Sequence, residues 1–335
     1  FNPGTTVGLD SAVMSEVTYI DAIHEAHEDL LSEDERVFVY GQDVGTFGGA
    51  FKATKSLKDR YPNRVVDAPI SEDAMVGMAI GAALEGMRPI VEIQFADFSS
   101  VAFNQIVNHA GTHYYRTGTP VPITIRLPSG GTPGSGPFHS QMMESIYAQY
   151  PGLVVLTPAT VSDAYTMLRQ AVELDDPVLF CEHKFLYRWL KEPEIDREPT
   201  PINQARIVRA GKHLTVVTYS ALVHEALRAA EVLAEEGWEV EVVDLRSVKP
   251  LDTDTIMASV ARTGRLLALG ESFPWGGVTA EVVARVAAEG FHLLDAAPQR
   301  MNARDTPVPY HPKLWEVHRP THHAICDRIR QVLRF

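Results

Sequence analysis

Residues 151–184 read PGLVVLTPATVSDAYTMLRQAVELDDPVLFCEHK, and this stretch decides the fold class. Val154 to Leu156 is a short apolar, β-branched run, a helical segment starts at Ser162, and Val178 to Cys181 is a second apolar run. Two short apolar strands joined by a helix make a β-α-β unit, whose strands run parallel and need cover on both faces.

The same alternation extends toward the N-terminus. Thr18 is placed to cap a helix with Ile20, Ile23, His27, Leu30 and Leu31 on one face, and Val37 to Tyr40 follows as a strand ending at Gly41. Asp73 to Leu84 is a helix apolar nearly all round, which predicts burial. Ile90 to Phe95 reads as a strand, Ser99 to about Tyr115 as a helix and Pro122 to Leu127 as a strand. Ser129 to Pro137 is a loop rich in Gly, Pro and Ser, with a helix expected from about Ser140.

Toward the C-terminus, Lys191 to Pro201 (KEPEIDREPTP) is charged and proline-rich, as linkers are. Strands then resume at Leu214 to Tyr219, Val240 to Leu245 and Leu266 to Leu269, with helices between them. The expectation is an α/β protein of two domains, each a parallel sheet covered by helices on both faces. Residues 1–14 form a flexible arm or tag remnant, 15–190 the first domain, 191–205 a linker and 206–335 the second domain. No repeat occurs at solenoid periods.

The formal net charge of -13 argues against a general nucleic-acid binder, which needs a basic face. Cys181 and Cys326 stand far apart and suggest neither a disulfide framework nor a paired metal site. No apolar run reaches the ~18–20 residues of a membrane span. The first 13 residues lack the basic and apolar regions of a signal peptide, so a cytoplasmic location is expected.

Several motifs fail on inspection. Gly131 to Gly136 (GTPGSG) has phosphate-loop spacing, but Pro137 and Phe138 stand where Lys and Ser or Thr are needed. The GTFGG at 45–49 completes no dinucleotide fingerprint, which disfavours a nicotinamide dehydrogenase. His109 and His113 stand four apart on a helical stretch but lack the Glu of a zinc-protease motif, so a polar helix face is the simpler reading.

Three segments cost too much for structure alone. In DAPISE (67–72), Glu72 opens the apolar helix. It either caps free amides there or offers a buried carboxylate that holds a proton donor of a ligand. In VEIQFADF (91–98), alternation puts Glu92, Gln94 and Ala96 on one face. Gln94 and Phe98 come at the strand's C-terminal end, where α/β sheets bind ligands; a satisfied subunit interface is the plainer alternative. In FHSQ (138–141), His139 follows the flexible loop at an expected helix start, free to move protons or contact an anion.

Taken in order, these strings resemble the beta chain of the decarboxylating component of 2-oxoacid dehydrogenase complexes. The resemblance is carried by YGQDVG (40–45), FGG (47–49), DAPISE (67–72), EIQFADF (92–98), YRTG (115–118), HSQ (139–141), PGLVVLTP (151–158), DDPVLFCEHKFLY (175–187), VVDLRSVKPLD (242–252) and DTPVPY (305–310). It runs from about Val17 to the C-terminus. It implies a transketolase-like pyrimidine-binding domain followed by a transketolase C-terminal-like domain, with thiamine diphosphate as cofactor. By this resemblance Glu72 hydrogen-bonds a ring nitrogen of the cofactor's aminopyrimidine, and Ile70, Gln94 and Phe98 line its pocket. Many branched-chain members carry tyrosine at the position of Phe98. His139 matches a histidine proposed to orient or protonate intermediates and to assist acyl transfer.

The resemblance also implies a structural potassium ion held through Ile123, Ala171, Val172, Leu174 and Asp176, with Leu174 in place of a common aspartate. The Gly-Asp-Gly segment that binds the diphosphate and magnesium in thiamine enzymes is absent from this chain. The implied partner is therefore an alpha subunit that supplies the magnesium ligands, in an α2β2 heterotetramer. A lipoyl-bearing dihydrolipoyl acyltransferase is the implied acyl acceptor. YGQDVG with FGG, and EIQFADF, look branched-chain; HSQMMES and VLFCEHKFLY look more like pyruvate or acetoin members. A scaffolding subunit that has lost its chemistry predicts a broken Glu72 or His139 position, and both are intact.

Overall fold

The structure, a computed structural model, describes residues 16–334, so the expected N-terminal arm (1–14) lies outside the described residues. After β1 (Val17–Thr18), helix α1 (Tyr19–Glu33) starts at a reciprocal cap. Thr18 Oγ1 accepts the Asp21 N–H at 3.3 Å, and the Thr18 N–H donates to the Asp21 carboxylate at 3.2 Å. Then follow β2 (Val37–Gly41), α2 (Leu57–Arg60), β3 (Val65–Asp67), α3 (Glu72–Leu84) and β4 (Arg88–Glu92). A 3₁₀ turn (Ala96–Ser100) and a π-turn (Gln105–Ala110) lead to α4 (Gly111–Thr117) and β5 (Thr124–Ser129). Next come α5 (Glu144–Ala148), β6 (Val154–Leu156), α6 (Val161–Glu173), β7 (Val178–His183), α7 (Leu186–Trp189) and β8 (Lys191–Glu192).

The second half contains β9 (Arg206–Arg209), β10 (Leu214–Thr218), α8 (Leu222–Glu235), β11 (Val240–Asp244), β12 (Ser247–Lys249), α9 (Thr253–Thr263) and β13 (Leu266–Leu269). It ends with α10 (Val278–Glu289), a 3₁₀ turn (Phe291–Leu293), β14 (Gln299–Met301), α11 (Pro312–His318) and α12 (His322–Val332).

Two main sheets result. The first has the order β12-β6-β7-β5-β4-β2-β3 and is parallel except for β12, an antiparallel edge strand donated by the second half. The second has the order β14-β13-β10-β11-β9, parallel except for the edge strand β9. Helices α1 and α6 cover one face of the first sheet, burying Ile23, Leu31, Val161 and Leu168. Met75 and Ala79 of α3 and Ile106 of the π-turn cover the other. That second core continues without a break into Val217, Tyr219 and Val243, so the two halves share buried apolar side chains.

Four local expectations need correction. The strand expected over Ile90 to Phe95 lies earlier, at Arg88–Glu92, because β2 pairs with it only from Val37↔Arg88 to Gly41↔Glu92. The helix expected over Ser99 to Tyr115 is broken into 3₁₀, π and α pieces. The helix expected from Ser140 starts only at Glu144, because the Ser140 and Gln141 N–H groups are drawn to the Asp97 carboxylate, each at 3.2 Å. Helix α3 is not covered all round: Met78 and Leu84 are 43% and 38% exposed, and Ala74 and Gly81 face outward with them.

Candidate active site

The parallel strands of the first sheet end side by side. Register pairs Gly41 of β2 with Asp67 of β3 and with Glu92 of β4, and Ser129 of β5 with His183 of β7. Ile70, Glu72, Gln94, Phe98 and His139 each lie in a segment that follows one of these strand ends, on the edge where parallel sheets hold ligands.

Glu72 is the first residue of α3 and is 8% exposed. Its neighbour Ser71 makes no side-chain cap, and Glu72 and Asp73 are the carboxylates in the first turn, at the positive end of the helix. Gln42, just after β2 and also buried, donates from Nε2 to Glu72 Oε1 at 3.2 Å. The next residue, Asp43, has a left-handed backbone (φ 57°) and accepts from Gln94 Nε2 at 3.2 Å. The turn is tightened by Gly45, whose N–H donates to Asp67 Oδ1 at 2.6 Å; a Cβ there would lie 2.3 Å from the same carboxylate.

Beyond β4, Phe95 and Phe98 pack edge-on at 5.6 Å between ring centres. The His139 ring sits against both, 4.5 Å from Phe95 and 5.6 Å from Phe98. His139 is therefore held by aromatic contact. With the helix starting at Glu144, no helix dipole acts on it. Ile70 is 85% exposed and touches no pocket wall within this chain; Phe138 (69%) and Phe47 (59%) are similarly open.

The loop that carries His139 is tied at its base by buried charges. Lys184 donates from Nζ to Gly130 O at 2.6 Å, and burial lowers its pKa to about 8. Asp97 takes the two N–H groups after His139; burial still leaves its pKa raised. Glu271, from the second half, accepts the Gly131 N–H at 3.0 Å and lies 3.2 Å from His183 Nε2. Burial works against its ionisation, yet His183 and the Gly131 N–H outweigh this and hold the carboxyl down to about 2.

Beneath the site runs a buried ionic bridge. Glu92 pairs with Arg126 across β4 and β5, and Arg126 Nη2 donates to Glu182 of β7 at 2.8 Å, all three side chains at most 2% exposed. Glu92, expected either to find a partner or to line the site, has found a partner.

The potassium expectation meets an obstacle. The carbonyls of Val172 and Leu174 already accept from Arg88 Nη1, at 2.7 and 2.9 Å, and Ile123 O accepts from Val178 N–H at 2.9 Å. Ala171 is buried and Asp176 exposed. A guanidinium thus shares the Val172 and Leu174 carbonyls of the expected ligand set. Among the described residues, no three His, Cys, Asp or Glu side chains cluster as a metal site. Glu72, the aromatic wall and His139 do fit a flat, nitrogen-bearing ring at the strand ends.

The sequence reading missed Gln42, Phe95, Asp97, Lys184 and Glu271 as contributors. Arg126 had a usable signal, an isolated charge inside an apolar strand (ITIRLP). Glu271 had none, because its partner lies 140 positions away.

Comparison with known proteins agrees with this geometry. The family described as "Transketolase, pyrimidine binding domain" matches residues 15–189, and "Transketolase, C-terminal domain" matches 203–325. The 2-oxoisovalerate dehydrogenase subunit beta of Bacillus subtilis (strain 168) is 44% identical over 306 residues, covering 90% of this chain and 94% of the relative. The mitochondrial pyruvate dehydrogenase E1 component subunit beta-1 of Arabidopsis thaliana is 43% identical over 307 residues, covering 90% and 85%. A solved structure described as a split gene transketolase, inactive beta4 tetramer, superposes with a TM-score of 0.79 at 21% identity, covering 96% of this chain and 99% of that one. This last likeness speaks for the fold alone.

Proposed function

Since the chain belongs to the family of beta subunits of thiamine diphosphate-dependent 2-oxoacid dehydrogenases, we propose that it forms the aminopyrimidine half of a shared active site for oxidative decarboxylation of a branched-chain 2-oxo acid. The observation that carries this reading is the buried Glu72 carboxylate, oriented by Gln42, on the same sheet edge as the Phe98–His139 contact.

When bound, thiamine diphosphate supplies a carbon nucleophile and an electron sink for loss of carbon dioxide. Glu72 would hold a proton on the ring nitrogen that faces it, with Gln42 fixing one carboxylate oxygen so that the other points to the ligand. Phe98 would pack against the ring and exclude water. His139 would move or hold a proton beside the substrate, its ring kept in place by Phe95. Gln94 is committed to Asp43 and shapes the pocket wall rather than reaching the ligand.

Exposed Ile70, Phe47 and Phe138 at the rim suit burial against an alpha subunit, which would bring the diphosphate and magnesium ligands in an α2β2 assembly. A lipoyl-bearing acyltransferase would then accept the acyl group. The substrate assignment rests on the YGQDVG, FGG and EIQFADF strings and on the 2-oxoisovalerate relative. Among the described residues no helix is long and apolar enough to cross a membrane. Two buried free cysteines suit a reducing compartment such as the cytoplasm.

The test is acceptor reduction driven by 3-methyl-2-oxobutanoate or pyruvate, which are decarboxylated, or by acetoin, which is cleaved between its two oxygen-bearing carbons, by the chain alone and with its alpha subunit, using thiamine diphosphate, magnesium and an artificial electron acceptor. Activity only in the mixture, highest with the branched acid, is expected. Preference for pyruvate or acetoin would overturn the substrate assignment. Activity of the chain alone would overturn the shared site.

A further inference from the structure

The His139 loop leaves the first sheet at Ser129 and is seated on both halves of the chain, on Asp97 and Lys184 of the first and on Glu271, Tyr310 and Trp315 of the second. Gly130 and Gly136 have left-handed backbones (φ 76° and 66°) and no room for a side chain. A Cβ on Gly130 would lie 2.0 Å from His183 Nε2, on Gly131 2.5 Å from Trp315 Nε1, and on Gly136 2.1 Å from the Tyr310 ring. Two of these three walls come from the C-terminal segment. Within the loop Ser135 N–H bonds Thr132 O at 3.1 Å and the Thr132 and Ser135 hydroxyls bond each other, but the backbone bonds near its ends are long, Gly130 N–H to Gln141 O at 3.3 Å and His139 N–H to Gly136 O at 3.5 Å. Its geometry must therefore be imposed from outside.

Glu271 is the polar group of the second half that reaches the glycine end of this loop. It accepts the Gly131 N–H at 3.0 Å and meets His183 Nε2 at 3.2 Å. The Phe185 N–H donates to His183 Nδ1 at 3.2 Å, which leaves Nε2 as the ring nitrogen that faces Glu271. The far end of the loop touches the second half again. A cavity of about 10 Å³, the space of one water, lies between Ser140 and Ser272, whose buried hydroxyls have no protein partner.

We propose that Glu271 is a positioning residue for the His139 loop: by fixing Gly131 and His183 together, it lets the second half of the chain set where His139 stands in the site. The proposal rests on the catalytic role given to His139 above. It gives the second half a part in the chemistry through the placement of His139.

The test uses the complex with the alpha subunit and two readouts. Hydrogen exchange of amides 129–141 reports the loop irrespective of activity, and the split of kcat from KM reports its alignment. Glu271→Ala should raise loop exchange about tenfold or more, with β7 unchanged. It should lower kcat by ~10–100-fold with little change in KM, as a small misplacement of a catalytic group does. Gly131 N–H and His183 Nε2 use different oxygens of Glu271, so Glu271→Gln keeps an acceptor for only one of them and should fall between wild type and Glu271→Ala on both readouts. Should Glu271→Ala not fold, Gly131→Ala keeps the carboxylate and pushes the same loop off Trp315, and should give the same exchange and kcat changes. Wild-type loop exchange in Glu271→Ala or in Gly131→Ala would overturn the proposal, as would a Glu271→Gln as impaired as Glu271→Ala. If the wild-type complex shows no 2-oxo acid activity, the proposed function fails, while loop exchange still decides the role of Glu271.

Discussion

Gln42 Nε2 lies 3.2 Å from Glu72 Oε1, so the carboxylate that opens α3 is aimed by the residue that follows β2. The bond joins two strand ends 30 residues apart and leaves one carboxylate oxygen free of Gln42.

Glu72→Gln keeps the shape and removes the charge. The activity of the reconstituted enzyme should fall by ~10²–10⁴, the usual worth of a positioned acid–base group. Stability should change by no more than ~1 kcal/mol, the worth of a charge at a helix start. Gln42→Leu should instead destabilise by ~1–3 kcal/mol, by leaving Glu72 without its partner. Urea titration beside turnover separates the two; equal activity of Glu72→Gln and wild type would remove Glu72 from the mechanism.

Arg126 bridges two buried carboxylates, so losing it strands both. Arg126→Met should cost ~3–5 kcal/mol, and replacing Glu92, Arg126 and Glu182 together by apolar residues should cost far less or nothing. Chemical denaturation of both variants checks this. If the triple variant is no more stable than the single one, the bridge is not what the single variant loses.

Burial raises the Glu144 pKa to about 7, against the partial help of the Tyr219 hydroxyl 2.7 Å away. Burial and neighbouring Asp163 likewise raise Asp244 to about 7. Both carboxyls bind protons more tightly folded than unfolded, so their contribution is complete below the unfolded pKa near 4.5 and 3.8 and fades as pH rises to about 7. The chain should lose stability between about pH 4.5 and pH 7 from these groups, by about 3 kcal/mol for Glu144 at 1.36 kcal/mol per pH unit. Glu144→Gln should flatten that part of the curve. Melting temperatures across this range provide the check, and an unaltered slope in the variant would refute the assignment.

Gly152 and Gly86 both have left-handed backbones (φ 78° and 92°) but differ in surroundings. A Cβ on Gly152 would lie 1.9 Å from the Gly111 carbonyl oxygen, whereas one on Gly86 meets nothing within 4 Å. Gly86→Ala should cost the conformational penalty alone, ~1–3 kcal/mol. Gly152→Ala should cost clearly more, because one backbone must move off another. Thermal denaturation of the pair decides it; equal losses would mean that the Gly111 contact relaxes freely.

What the sequence determined by itself is what local pattern and short-range chemistry control. The apolar runs at 37–40, 154–156 and 178–181 became strands of a parallel sheet covered on both faces, which buries them. Thr18 with Asp21 fixed the start of α1 through two local bonds. Motif order placed Glu72, Phe98 and His139 in the segments that follow the ends of β3, β4 and β5.

Tertiary structure alone decided the rest, because the deciding partners lie far away in the chain. The helix after His139 starts late because Asp97, more than 40 positions earlier, captures the amides it would have used. Edge strand β12 left its own half because β6 offered an unpaired edge. The carbonyls expected to hold an ion face Arg88, a pairing over 80 positions that periodicity does not reveal. The seat of the catalytic loop on Glu271 is of the same kind. Strand and helix periodicity follow from steric and hydrophobic rules acting over a few residues, whereas buried charges take whichever partner the finished fold brings within 3 Å.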